Sequence, residues 1–260
     1  MKQLLIFKTH VLSWWILEEY FKLVNTKGID CVILYDNTNN TFKDNGEPIS
    51  KHSLDGYEFD CILMTKNKIK SLYLPIHSHI TFPKFSNAIW YNADYPVYLV
   101  KSILPDYDYY WHLEYDIYCK EQDYSKFFEK YSENDSDFIV PLVRVAEKEW
   151  EHQDFSEWIY PASMTRYASF FPIARWSSNF VDFAMNKRIE HGQKYLAAAN
   201  KKPDVRWLFC EYFAIMEAIY NGFKVTSIDD EKLRFDNEYS MGEIYGSPGS
   251  AILYHPVKTR

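Results

Sequence analysis

The opening of the chain places apolar runs and one helical period in an order that fixes its fold class. Leu4 to Thr9 (LLIFKT) is a short apolar run suited to a buried strand. Ser13 then serves as an N-cap, and Leu17, Tyr20, Phe21 and Val24 fall at i, i+3, i+4 and i+7. Gly28 closes that helix as its C′ residue. Asp30 to Tyr35 (DCVILY) is a second strand and runs into the polar stretch Asp36 to Thr41. Asp44-Asn45-Gly46 marks a turn, and Phe59 to Met64 (FDCILM) is a third strand. Such a β-α-β-β order demands a right-handed crossover and a mostly parallel sheet. The expected fold is α/β, a single domain with a mostly parallel mixed sheet and flanking helices.

The rest of the chain continues that alternation. Helices are expected over Asp94 to Ile103, with Pro96 in the first turn, and over Ser125 to Tyr131. Strands are expected at Tyr109 to Glu114, Asp137 to Leu142 and Ser169 to Ile173. Asn179 to Ala199 and Asp204 to Asn221 read as helices, the second ending at Gly222. Phe223 to Ile228 and Ile252 to His255 read as late strands, with a Gly/Ser/Pro loop at 246–250 before the last. Neither an internal repeat nor a linker divides the chain.

Composition narrows the function. Lys+Arg number 29 against 36 Asp+Glu, a net charge of -7, which lacks the basic footprint of a nucleic-acid binder. Aromatic residues make up 18% of the chain, enough to supply both a core and a sugar-stacking surface. The rings near 107–118 and 150–176 are the ones expected to line a sugar cleft. Cys31, Cys61, Cys119 and Cys210 form no CxxC pair, which excludes zinc-ribbon and thioredoxin readings and suits a reducing compartment. The apolar start is broken by Lys8 and His10 and reads as a strand rather than a leader. The expected location is cytoplasmic, with peripheral contact at the inner face of a membrane left open.

The chemistry concentrates in PDYDYYWHLEYDIYCK, residues 105–120. Strand alternation sends Tyr109, Trp111, Leu113 and Tyr115 one way, and Tyr110, His112, Glu114 and Asp116 the other. Glu114 and Asp116 then share one face at the carboxyl end of a strand, where open α/β sheets bind ligands. Two hard carboxylates there suit Mg²⁺ or Mn²⁺, which would offset the charge of a leaving diphosphate.

Tyr110-Trp111-His112-Leu113-Glu114-Tyr115-Asp116 resembles the D-x-D region of GT-A glycosyltransferases, with Glu in the first acidic position. The resemblance covers most of the chain as element order. It implies a Rossmann-like, nucleotide-sugar-binding half over 1–118 and an acceptor-binding half over 119–260. Asp116 is then the direct ligand of Mn²⁺ or Mg²⁺, and Glu114 meets the metal, its waters or the ribose. It also implies that His255 is a late metal ligand and that Lys258 meets the diphosphate. Thr9, His10, Asp36, Asp94 and Tyr95 would bind the nucleotide sugar, and Arg175 and Trp176 the acceptor. An Arg stacked on Trp is also a common structural pair.

Glu211 is the expected catalytic residue. On a helix whose core stripe is Leu208, Tyr212, Ile215 and Ile219, it lies about 70° off the stripe centre, beside Ala214 and Ala218. Partial desolvation there would raise its pKa, which suits a general base toward the acceptor hydroxyl. Glu217 is expected to face solvent. The implied activity is metal-dependent transfer of a sugar from a nucleotide-sugar donor to a glycan or glycolipid acceptor. The Lys-, Asn-, Ile- and Tyr-rich composition points to bacterial surface polysaccharide synthesis as its setting. Two rival readings remain: a non-catalytic carbohydrate-binding protein, and another α/β nucleotidyl- or phosphate-handling enzyme. The β-α-β opening argues against the first. The lack of P-loop, G-x-G-x-x-G and G-x-S-x-G motifs removes the commonest members of the second.

Overall fold

A computed structural model describes residues 1–75, 90–147, 156–201, 205–228, 233–246 and 251–259. Its first third comprises β1 (Gln3–Thr9), α1 (Trp14–Val24), β2 (Asp30–Asp36), β3 (Ser50–Leu54) and β4 (Tyr57–Met64). Next come α2 (Lys66–Ser71), α3 (Tyr95–Ile103), β5 (Tyr109–Glu114), β6 (Tyr118–Cys119), α4 (Ser125–Glu129) and β7 (Phe138–Pro141). After β8 (Arg144–Val145), β9 (Tyr167–Ala168) and β10 (Ile173–Ser177) stand two large helices, α5 (Ser178–Ala199) and α6 (Cys210–Tyr220). The chain closes with β11 (Val225–Ile228), β12 (Leu233–Ser240), α7 (Met241–Gly246) and β13 (Leu253–Thr259).

Eight strands form one sheet in the order β11-β7-β10-β5-β1-β2-β4-β3. β5, β1, β2 and β4 run parallel. β10 runs antiparallel between β5 and β7, and β3 runs antiparallel to β4. This is the expected mostly parallel mixed sheet. The unexpected β3 is polar in sequence and forms because Asp55 and Gly56, both at positive φ, turn the chain back into β4.

The alternation of β5 sorts the two cores. Trp111 and Leu113 pack with Leu17 of α1 and Phe127 of α4 on one face. Tyr110 packs with Tyr98 of α3, Phe180 of α5 and Phe213 of α6 on the other. A second sheet, β12-β13-β6, lies beyond the end of β5. None of the helices among the described residues is long and apolar enough to cross a membrane.

Three local expectations shift. Ser169 to Pro172 is a connection, and the strand begins at Ile173, where the expected one ended. α6 starts at Cys210: Val205 to Phe209 is non-helical, Phe209 is extended, and Trp207, Leu208 and Phe209 are buried. Glu217 is buried. Its carboxylate accepts hydrogen bonds from the Tyr160 hydroxyl at 2.6 Å and the Asn221 amide at 3.1 Å. A helix packed on nearly every side has no solvent face for amphipathic periodicity to reveal. Ser13 stands at the N-cap of α1 in extended conformation, but its side chain makes no capping bond. Gly28 takes positive φ in the turn beyond the C-cap Asn25.

The helical layer is pinned by one buried ion pair. Arg188 of α5 donates from Nε to Asp94 Oδ2 at 2.7 Å and from Nη2 to Oδ1 at 3.1 Å, and both side chains are wholly buried. Tyr98 adds a hydroxyl to Oδ2, and Arg188 Nη1 reaches the Leu208 carbonyl at 2.8 Å. Removing one partner leaves an uncompensated buried charge. Asp94→Ala is therefore expected to cost about 3–5 kcal/mol, read as a lower urea midpoint at unchanged slope. A loss below about 1 kcal/mol would contradict the buried-pair reading.

Candidate active site

β5 ends at Glu114, and the chain turns through Tyr115 and Asp116 with Ile117 N–H bonded to the Glu114 carbonyl at 3.1 Å. The turn keeps Glu114 and Asp116 close while Tyr115 packs aside. β13 runs past this turn: Leu253 and Tyr254 pair with Cys119 and Tyr118, and Val257 N–H donates to the Asp116 carbonyl at 2.8 Å. His255, between those two contacts, is thereby set against the acidic pair. Its Nε2 lies 3.2 Å from Asp116 Oδ1 and 3.3 Å from Glu114 Oε2. One ligand atom from each of the three residues falls within 4.8 Å of the others.

These groups fit a divalent cation. Asp116 is buried, and its Oδ1 accepts no hydrogen bond, so the contact with His255 is an ion pair rather than an aligned bond. A buried carboxylate oxygen without a donor is costly unless a cation meets it. Two carboxylate oxygens and an imidazole nitrogen form a hard-to-borderline set suited to Mn²⁺ or Mg²⁺. Burial opposes protonation of His255, but Asp116 and then Glu114 outweigh it and lift its pKa to about 9. A bound metal would displace that proton. Burial would raise Glu114, yet Lys8 and then His255 hold it below the usual carboxylate range.

A cleft of about 600 Å³ opens over this cluster. Thr9, His10 and Asp36 line it from the ends of β1 and β2, Trp90 and Ala93 from the segment leading into α3, and Pro96 from the first turn of α3. His10 packs edge-on against Tyr115, with ring centroids 4.8 Å apart. Asp36 accepts from both the backbone N–H and the hydroxyl of Thr38. Its pKa is raised by burial, with those two bonds pulling against the rise.

Glu211 enters the cleft from the first turn of α6. Its Oε1 accepts from the Phe171 backbone N–H at 2.9 Å. Burial pushes its pKa up to about 8; the Phe171 bond acts against the rise, and the charge of Glu114 adds to it. The connection 169–172 ties both carboxylates together, because the Pro172 carbonyl receives Glu114 N–H at 2.8 Å. Phe170 packs against the His255 ring. Of the aromatic residues expected to line a cleft, Tyr115, Phe170 and Phe171 do so. Residues 150–155 of that expectation lie outside the described residues.

Four expected ligand contacts are corrected. Asp94 is consumed by Arg188 and Tyr98, and Tyr95 is buried with its hydroxyl on the Pro75 carbonyl at 2.7 Å. Their neighbours Ala93 and Pro96 face the cleft instead. Arg175 is buried on the opposite sheet face, over the Tyr109 ring, and donates to the carbonyls of Tyr131, Asn134 and Ser136. Trp176 stacks on Phe180 in the core, with centroids 5.0 Å apart. The Lys258 side chain lies outside the described residues. The sequence reading missed Lys8 and Trp90 as cleft residues. A lone Lys inside an apolar strand, LLIFKT, was the one signal available for the first of these.

In the metal-free protein, Glu211 is expected to stay protonated at neutral pH and to ionise as the pH rises through about 8. Difference infrared spectroscopy should show a protonated-carboxyl band that disappears through that window and is missing from Glu211→Gln. Titration at an ordinary carboxylate value would contradict this environment.

No protein-family model and no curated protein matches the chain by sequence. Solved structures match by shape. Mouse xyloside xylosyltransferase 1, in its apo form, aligns with 98% of this chain and 96% of its own, at 10% identity and a TM-score of 0.50. The galactosyltransferase LgtC, in complex with donor and acceptor sugar analogs, aligns with 97% of this chain and 86% of its own, at 9% identity and a TM-score of 0.48. The sheet order and the likeness to the xylosyltransferase establish that the chain has the GT-A glycosyltransferase fold.

Proposed function

We propose that this protein is a divalent-metal-dependent glycosyltransferase, moving a sugar from a nucleotide-sugar donor to a glycan or glycolipid acceptor. The observation that carries the reading is the convergence of Glu114, Asp116 and His255 at the end of a central strand, facing a cleft that also holds Glu211. The Lys-, Asn-, Ile- and Tyr-rich composition is what supports bacterial surface polysaccharide synthesis as its setting.

Asp116, His255 and Glu114 would hold the metal, which supplies positive charge against the departing diphosphate. Thr9, His10 and Asp36, at the ends of β1 and β2, line the cleft and would hold the nucleotide, since ligands of open α/β sheets bind at those ends. Glu211, in its ionised form, would take the proton of the acceptor hydroxyl. Its burial raises its basicity, and Phe171 N–H orients one oxygen so that the other is left for the acceptor. A non-catalytic sugar-binding module accounts for the aromatic residues but gives no reason for Glu114, Asp116 and His255 to converge in the cleft.

UDP, GDP or CMP with Mn²⁺ at saturating concentration is expected to raise the thermal midpoint by about 5 °C or more, and neither component alone should match it. Asp116→Ala should lose that response. Full stabilisation of Asp116→Ala, or of the wild type by a sugar with neither nucleotide nor metal, would reject the reading.

A further inference from the structure

Lys8 stands inside this site with no part in the mechanism above. It sits next to the end of β1, and the parallel register sets it directly opposite Glu114 of β5. On its other side the register offers only Leu34 of β2. Its side chain is about 10% exposed, and its ammonium lies 3.5 Å from Glu114 Oε1. The other oxygen of that carboxylate, Oε2, faces His255. A single carboxylate is therefore divided between a fixed cation and the place where a metal would sit. The pairing of the two backbones is imposed by strand register at the centre of the sheet.

We propose that Lys8 weakens the Glu114–Asp116–His255 site for a bare divalent ion and so makes retention of the ion depend on a diphosphate. The inference rests on the metal-dependent reading of the site and assigns Lys8 a positioning role. With His255 neutral, Glu114, Asp116 and Lys8 sum to one negative charge, little for holding a divalent cation. Two like charges a few ångströms apart in a partly water-excluded cleft repel strongly, and salt screens them poorly. Lys8 lines the same cleft as Glu114, Asp116 and His255, so a diphosphate entering there meets both the ion and the ammonium. Its negative charge offsets the repulsion between them. Ion and nucleotide then favour each other's binding, and the coupling is reciprocal.

The test is Mn²⁺ binding to the nucleotide-free protein, followed by the electron paramagnetic resonance signal of free Mn²⁺, then repeated with UDP and GDP. Lys8→Met is expected to bind Mn²⁺ about tenfold or more tightly than the wild type. The factor by which nucleotide tightens Mn²⁺ should shrink in that variant. Lys8→Gln, of different shape and equally neutral, should behave the same way and carries the test if Lys8→Met does not fold. Neutral variants that bind Mn²⁺ no better than the wild type, with nucleotide coupling unchanged, would overturn the role of Lys8. Asp116→Ala separates the two readings. Loss of Mn²⁺ binding there upholds the metal site whichever way Lys8 falls, whereas binding by none of the proteins overturns the metal site and this inference with it.

Discussion

The pairing of β5 with β1 on one side and β10 on the other holds the chemistry of this molecule in place. β5 sits at the middle of an eight-stranded sheet, is buried on both faces, and stops at Glu114. Parallel pairing with β1 fixes which residue faces Glu114 across the ladder. Antiparallel pairing with β10 brings the connection 169–172 back over the strand end, where the Pro172 carbonyl binds the Glu114 backbone. The carboxylate is thus located by backbone hydrogen bonds rather than by a mobile loop. The acidic turn that follows inherits that precision, as a site built on rigid elements requires.

The remaining groups arrive from distant parts of the chain. β13 delivers His255 because its backbone pairs with the segment just after the acidic turn. α6 delivers Glu211 because its first turn abuts the same 169–172 connection. The two cleft glutamates then live in opposite environments. Lys8 and His255 hold Glu114 ionised, while burial holds Glu211 protonated to a higher pH. Under the proposed function, titratable groups pushed apart in this way would divide charge binding and proton transfer within one cleft.

Much of this was legible in local sequence, and the limits have physical causes. β1, α1, β2, β4 and β5 carry strong periods or apolar runs, so element order and fold class follow from them. The alternation of β5 correctly separates Trp111 and Leu113 from Tyr110. The nearness of Glu114 to Asp116 is also a local matter, but their meeting with His255 depends on a strand more than a hundred residues away. Asp94 and Arg175 read as ligands because polar residues at element ends usually face solvent or substrate. No local pattern announces that Arg188 will bury itself against Asp94, or that the turn at 131–136 will present three carbonyls to Arg175. Glu217 failed for a related reason, since α6 is enclosed on nearly all sides and its polar group is paired rather than exposed.

The central claim is that one divalent ion is held where the strand end, the acidic turn and the C-terminal strand meet. The most direct measurement is anomalous X-ray diffraction from crystals grown with Mn²⁺ and a nucleoside diphosphate. The account predicts a single strong anomalous peak bounded by Asp116 Oδ1, Glu114 Oε2 and His255 Nε2, with diphosphate oxygens completing its shell. A nucleotide bound in the cleft with no anomalous peak among those three atoms, or with the ion held elsewhere, would contradict it.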